Sequence, residues 1–186
     1  GRGLAEGMGT HIGHAPQFDV MHPKLKLHET LRFSAQLRTP ATVPDAEIEA
    51  RVNKAIDDIQ LRDRRDVKVG SKDTRTLSGG QRKRVNIAME LVTDPKVLLL
   101  DEPTSGLSSH DTAKIMRLLR QLADDGQGRT VILTIHQPSY SAFVEMDRVL
   151  ILEEGGHVAY FGPAAIEAFE FYDVPDREPG ALLEKM

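Results

Sequence analysis

An uninterrupted apolar run, Val97–Leu100, constrains the fold more than any other feature, and two acids, Asp101 and Glu102, follow it directly. Four aliphatic residues without polar alternation predict a buried parallel strand, because a strand with one face in water would alternate. In open α/β sheets, ligands bind beyond the carboxyl ends of such strands. The two acids therefore occupy the position where a binding site is expected.

A second feature is a glycine pair, Gly79 and Gly80, at the predicted start of a helix. Ser78 is a favourable N-cap residue, and the apolar residues behind it recur at helical spacing: Val85, Ala88, Met89 and Val92. Free N–H groups at a helix start attract anions, and residues without a Cβ let a phosphate come close to the backbone. The pattern predicts a phosphate site. Taken alone, the same residues also fit an ordinary junction between a loop and a helix.

The segment Thr130–His136 repeats the design of the acid-ending run. It is apolar for most of its length and ends in a titratable side chain, His136. It predicts a second buried strand whose carboxyl end carries a functional group.

These segments resemble the ATP-binding cassette (ABC) ATPases. Leu77–Gln81, the run from Val97 to Leu107, and the strand ending in His136 resemble the signature motif, Walker B with the D-loop, and the H-loop, in family order. Upstream, Ile12–Asp19 resembles the end of a core strand followed by the Q-loop, with Gln17 as its glutamine. The pattern after His136 and the segment Tyr160–Pro163 resemble the ABCG, or White-type, branch.

This resemblance, which covers about residues 12–172, implies an α/β fold with a partial RecA-like P-loop NTPase core and an inserted α-helical signature subdomain. Four segments are expected. Residues 1–19 hold a glycine-rich end, a core strand and the Q-loop, and 20–93 form the helical subdomain with the signature motif. Residues 94–162 form the core with Walker B, D-loop and H-loop, closed by a hairpin, and 163–186 form a C-terminal helix and linker.

The resemblance also implies roles for individual side chains, with ATP and Mg²⁺ as the ligands. Asp101 would hold Mg²⁺, Glu102 would act as general base on the attacking water, and His136 would contact the γ-phosphate. Gln17 would sense the metal and the water. The remaining residues are expected to contact ATP, those of the signature motif on the opposite subunit's nucleotide: Leu77, Ser78, Gly79, Gly80, Gln81, Ser105, Gly106, Leu107 and Ser108.

The sequence departs from the family pattern in two places. No Lys is preceded by Gly and followed by Ser or Thr, so the Walker A phosphate loop is missing. We therefore expect the chain to begin after that loop and to be inactive alone. Ser108 stands where the D-loop usually has Asp. Ser caps a helix as well as Asp does, but it carries no carboxylate for coupling across a dimer.

The function implied is the ATPase engine of an exporter at the cytoplasmic face of a membrane, partnered by a second cassette and a transmembrane domain. The alternatives are a soluble ABC ATPase acting on nucleic acid or ribosomes, and a degenerate cassette that does not hydrolyse ATP. A formal net charge of −4 gives no reason to expect a nucleic-acid partner. No apolar stretch is long enough to span a membrane. The basic run Arg82–Arg84 is expected to be a solvated helix face.

Overall fold

The computed structural model describes residues 12–70, 76–136 and 138–164. The glycine-rich end predicted for residues 1–10 lies outside the described residues, as do Gln137 and most of the helix and linker predicted for 163–186.

Helices and strands follow one another in the order β1, α1, α2, α3, β2, α4, β3, α5, β4, β5. The helices are α1 Leu27–Arg38, α2 Asp45–Asp58, α3 Gly79–Leu91, α4 Ser109–Asp124 and the short α5 Tyr140–Phe143. The strands are β1 Ile12–Ala15, β2 Val97–Leu100, β3 Thr130–Leu133, β4 Arg148–Leu152 and β5 Val158–Pro163.

Three of the strands form a parallel sheet in the order β1-β2-β3. The register places Val97 opposite both Ile12 and Thr130. Leu98 and Leu100 of the central strand are buried, as their apolar run predicts. The fold is α/β, with the parallel sheet of a partial P-loop NTPase core.

Strand β3 differs from its prediction as a buried strand running to His136. It ends at Leu133, and Thr130 and Ile132 are exposed, whereas Val131 and Leu133 pack against the core. Within the described residues β3 pairs only with β2, so it lies at a sheet edge. The face that carries Val131 and Leu133 is covered by the core, and the opposite face is exposed.

The helical part packs on the sheet through one continuous core. Helix α1 ends at Arg38, just before Thr39 and Pro40, because the residue that precedes a proline disfavours the helical conformation. Its buried residues join those of α2, α3 and α4 in a single cluster that also contains Leu98 of β2. None of the described helices is both long enough and apolar enough to cross a bilayer.

The predicted closing hairpin is confirmed by the antiparallel pairing of β4 with β5. Its turn contains Gly155 and Gly156, both with positive φ. The Arg148 guanidinium stacks over the Phe161 ring, 4.6 Å from its centroid.

Candidate functional site

The site lies at the carboxyl edge of the parallel sheet, where the three strands end side by side. β1 leads into Gln17, and β2 leads into Asp101 and Glu102. The Gln17 side-chain Nε2 donates a hydrogen bond of 2.7 Å to Oε2 of Glu102. The fold therefore brings together two of the predicted catalytic residues, which lie far apart in the sequence.

Glu102 has a left-handed backbone conformation, with φ of 42°. A non-glycine residue seldom adopts this region, and strain of this kind is found where the surrounding structure fixes the residue firmly. Here the Glu102 N–H donates to Oγ1 of Thr134 at 2.9 Å, and its carbonyl accepts from the N–H of Ser105 at 3.1 Å. The carboxylate predicted to act as base is thus aimed by a fixed turn.

Thr134 is a site residue that the sequence analysis missed. Its Oγ1 donates to Oδ1 of Asp101 at 2.7 Å while it accepts from the Glu102 N–H. The parallel ladder continues past the strand ends, because Asp101 N donates to the Ala15 carbonyl and Thr134 N donates to the Leu100 carbonyl. In the sequence, Thr134 looks like an ordinary strand residue, and only the register of β3 against β2 reveals its contact with the acids.

His136 lines the same cavity as Glu102, with a volume of about 310 Å³. Ser105, Gly106 and Leu107 of the D-loop form another part of its wall. The predicted H-loop and D-loop residues thus lie around the predicted base.

The donor set at Asp101 suits Mg²⁺, which prefers oxygen ligands and usually takes one or two carboxylates together with waters and phosphate oxygens. Of the two carboxylate oxygens of Asp101, Oδ1 accepts a hydrogen bond from Thr134, and Oδ2 accepts none from any side chain of the described residues. Within 12–70, 76–136 and 138–164, no group of three or more His, Cys, Asp or Glu side chains could hold a metal ion.

The signature segment starts α3, and its cap is confirmed. Ser78 Oγ accepts from the Gln81 N–H at 3.2 Å, while Gln81 Oε1 accepts from the Ser78 N–H at 2.9 Å. This reciprocal capping box uses the Gln81 side chain that was predicted to contact nucleotide. In the described part of the chain, the N–H groups of Gly79 and Gly80 have no hydrogen-bond acceptor. They are the donors left for an anion.

Gly80 also packs against the first turn of α4, and Gly79 packs against Leu107, which lies just before that helix. A Cβ on Gly80 would lie 2.9 Å from Cγ of Asp111, and one on Gly79 would lie 3.3 Å from Cδ2 of Leu107. The absence of a side chain at Gly80 therefore serves the packing of α3 against α4, in addition to any close approach by a phosphate.

A second cavity, of about 470 Å³, joins the Q-loop to the signature and D-loop segments. Gln17, Gly79 and the D-loop residues 105–107 line it. Leu77 is buried in the core, so only its backbone could face a ligand. Ser108 caps α4 as predicted, its Oγ accepting from the Asp111 N–H at 3.2 Å.

The expectation of a solvated face at Arg82–Arg84 is wrong. Each of these three side chains donates to a main-chain carbonyl, that of Leu77, Gln17 and Ile59 in turn. Burial lowers the pKa of the Arg84 guanidinium from its ordinary value, and nearby acids oppose that shift. The basic run therefore links α3 by hydrogen bonds to the main chain of neighbouring segments.

Comparison with known proteins places these features in a family. Residues 5–105 match the family model described as ABC transporter. The chain is 43% identical over 152 residues to ABC transporter G family member 28 of Arabidopsis thaliana, covering 82% of this chain and 14% of that protein. It is 45% identical over 152 residues to the broad substrate specificity ATP-binding cassette transporter ABCG2 of Bos taurus, covering 82% and 23%. The Mus musculus ABCG2 is 42% identical over 160 residues, covering 86% and 24%. The chain thus spans less than a quarter of the length of these relatives.

Proposed function

Because this chain belongs to the ABC transporter family, we propose that it carries the Q-loop, signature, Walker B, D-loop and H-loop parts of an ATP-hydrolysing cassette that powers export across a membrane. Its relatives are named as G-family transporters, which favours this role over a soluble ATPase acting on nucleic acid or ribosomes. Within the cassette, residues 20–93 act as the helical signature subdomain and 94–162 as the core.

The observation that carries the proposal is the hydrogen bond from Gln17 to Glu102 at the carboxyl edge of the sheet. ATP hydrolysis requires a water held in line with the γ-phosphate and a group that takes its proton. Gln17 fixes Oε2 of Glu102, and the left-handed turn fixes its backbone. Glu102 is therefore positioned to orient the water and to accept its proton.

The neighbouring residues complete the proposed assignments. Bound Mg-ATP supplies the phosphoryl group that is transferred to water. Asp101, held by Thr134, offers a carboxylate to the metal, and His136 reaches the same cavity as Glu102 and steadies the γ-phosphate. The N–H groups of Gly79 and Gly80, which have no hydrogen-bond acceptor among the described residues, would bind the nucleotide of a second cassette.

Two exposed apolar side chains near Gln17 favour the binding of a partner domain at this surface. Phe18 is 74% exposed and Val20 62% exposed, directly after Gln17. Exposed apolar side chains that cluster on a surface mark sites of interaction, and Phe18 and Val20 lie two residues apart in the chain. We assign this surface to the transmembrane domain of the transporter, and we propose that the cassette lies at the cytoplasmic face of the membrane.

The test is the Glu102→Gln substitution in the full-length protein that contains this chain. The amide keeps the shape of the side chain but cannot accept the proton, so kcat for ATP should fall at least about 100-fold while nucleotide binding persists. His136→Ala should also lower kcat severely. Glu153→Gln, at an exposed position after β4, is the control and should leave kcat unchanged.

Wild-type turnover in Glu102→Gln would reject the assignment of the base, and wild-type turnover in His136→Ala would make that histidine structural. A full-length protein that binds ATP without any hydrolysis would favour the degenerate cassette.

A further inference from the structure

Three side chains of α3 donate hydrogen bonds to the Q-loop. Arg82 Nε donates to Oδ2 of Asp19 at 3.0 Å, and Asn86 Nδ2 donates to Oδ1 of the same carboxylate at 3.3 Å. Lys83 Nζ donates to the Gln17 carbonyl. We call these three residues together with Gln17 and Asp19 the Q-loop clamp.

Two members of the clamp are buried polar residues. Arg82 is 9% exposed and Asn86 is 3% exposed. Oδ1 of Asn86 is buried without a hydrogen-bond partner among the described residues. A buried unpaired acceptor is unfavourable, so the helix gains little from Asn86 by itself. What this side chain contributes is its hold on the loop, through Asp19 and the Phe18 carbonyl.

The Arg82 guanidinium joins the Q-loop to the signature segment. While Nε holds Asp19, Nη1 donates to the Leu77 carbonyl at 2.9 Å, one residue before Ser78. The planar fork of Arg fixes the angle between its partners, which the single ammonium of Lys cannot do. One side chain therefore bonds at once to Asp19 and to the main chain just before the signature cap.

The clamp ends at the proposed base. Gln17 is held at its carbonyl by Lys83 and donates from its side chain to Glu102. Continuous direct contacts thus run from Leu77 through Arg82 and Asp19 along the Q-loop to the carboxylate of Glu102.

From this path we propose that Arg82 and Asp19 are a positioning pair. They link the position of the signature segment to the position of the Gln17 carboxamide, and in this way they determine how that carboxamide contacts Glu102. The pair acts through Gln17 and touches no reacting atom. This inference rests on the function proposed above.

The experiment compares Asp19→Asn with a matched ion pair away from the site. The full-length protein carries Asp19→Asn, Arg82→Ala or Arg82→Lys. The control is Asp125→Asn, because Asp125 is also bound to a buried arginine, Arg129, at 2.8 Å. All variants are assayed for ATPase kinetics and thermal stability.

We expect Asp19→Asn to lower kcat about tenfold or more, because small misplacements near a reacting centre are costly, with KM for ATP within about twofold of wild type. Arg82→Ala should behave alike, and Arg82→Lys should recover part of the loss. Asp125→Asn should lower the melting temperature without changing kcat. Unchanged kcat in Asp19→Asn and Arg82→Ala, in an active protein, would overturn the proposal.

Hydrogen–deuterium exchange without nucleotide separates this inference from the ATPase assignment. In Asp19→Asn, the amides of residues 17–21 and of 101–105 should exchange faster than in wild type and in Asp125→Asn. If neither segment changes, the clamp does not position Gln17, whatever the ATPase shows. If both change in a protein that hydrolyses no ATP, the clamp stands and the proposed function fails.

Discussion

At the scale of the residue, Glu102 and Thr134 show what a sequence does and does not reveal about a site. Glu102 was identifiable because acids directly after a buried run lie at a strand's carboxyl end. Its left-handed conformation, which costs about 1–3 kcal/mol, was not predicted. Thr134 was missed because its contact with Asp101 depends on the register of two parallel strands.

Thr134→Val tests whether this hydroxyl organises the acids. Val keeps the shape but removes the donor to Asp101 and the acceptor for the Glu102 N–H, so the free energy of unfolding should fall by about 1 kcal/mol. The turnover of the full-length protein should fall as well, because the turn that aims Glu102 loses a contact. Chemical denaturation and ATPase assays measure the two effects.

Thr134→Ser is the matched control, since it keeps the hydroxyl. It should retain most of the stability and turnover. A loss confined to Thr134→Ser would show that the methyl group, and not the hydroxyl, is what matters, because Val keeps that methyl and Ser does not.

At the scale of the element, the start of α3 was predicted correctly, whereas the contacts that its residues make with distant segments were not predicted. The Ser78 cap follows from local sequence, because capping involves residues within one turn. Two contacts of α3 involve distant segments, so no local pattern reveals them. Gly80 packs against Asp111, and Arg82 donates a hydrogen bond to Asp19. The exposed face of β3 escaped prediction for the same reason.

The Gly80→Ala substitution tests the packing of α3 against α4, because the sign of the change in unfolding free energy depends on how tight that contact is. Alanine in place of glycine favours a helix by about 1 kcal/mol. A Cβ at 2.9 Å from Asp111 Cγ, however, overpacks the contact between α3 and α4, at a cost of about 1–3 kcal/mol. We therefore expect a net loss of unfolding free energy, measured by denaturant titration.

The double variant with Asp111→Ala removes Cγ and Oδ1 from the clash and should recover part of the loss. A Gly80→Ala variant more stable than wild type would mean that α3 and α4 are not in tight contact at this position.

At the scale of the whole molecule, the parallel sheet collects Gln17, Asp101, Glu102 and His136 at one edge, and the helical core presents the signature segment beside them. The order of strands and helices followed from the sequence because apolar runs and helical periodicity are local signals. The pairing of strands and the joining of the Q-loop to α3 are long-range, and only the structure gives them.

The last prediction concerns nucleotide binding by the 186-residue chain itself. Most of the affinity of such a site comes from a Walker A loop, whose backbone N–H groups and Lys surround the β and γ phosphates, and this sequence contains no such motif. Asp101 and Glu102 without that positive cradle repel a polyphosphate. A ligand that binds the native state raises its stability by mass action, so millimolar Mg-ATP should leave the melting temperature unchanged. Micromolar binding by calorimetry, with phosphate release above a Glu102→Gln control, would show that the chain holds another phosphate site.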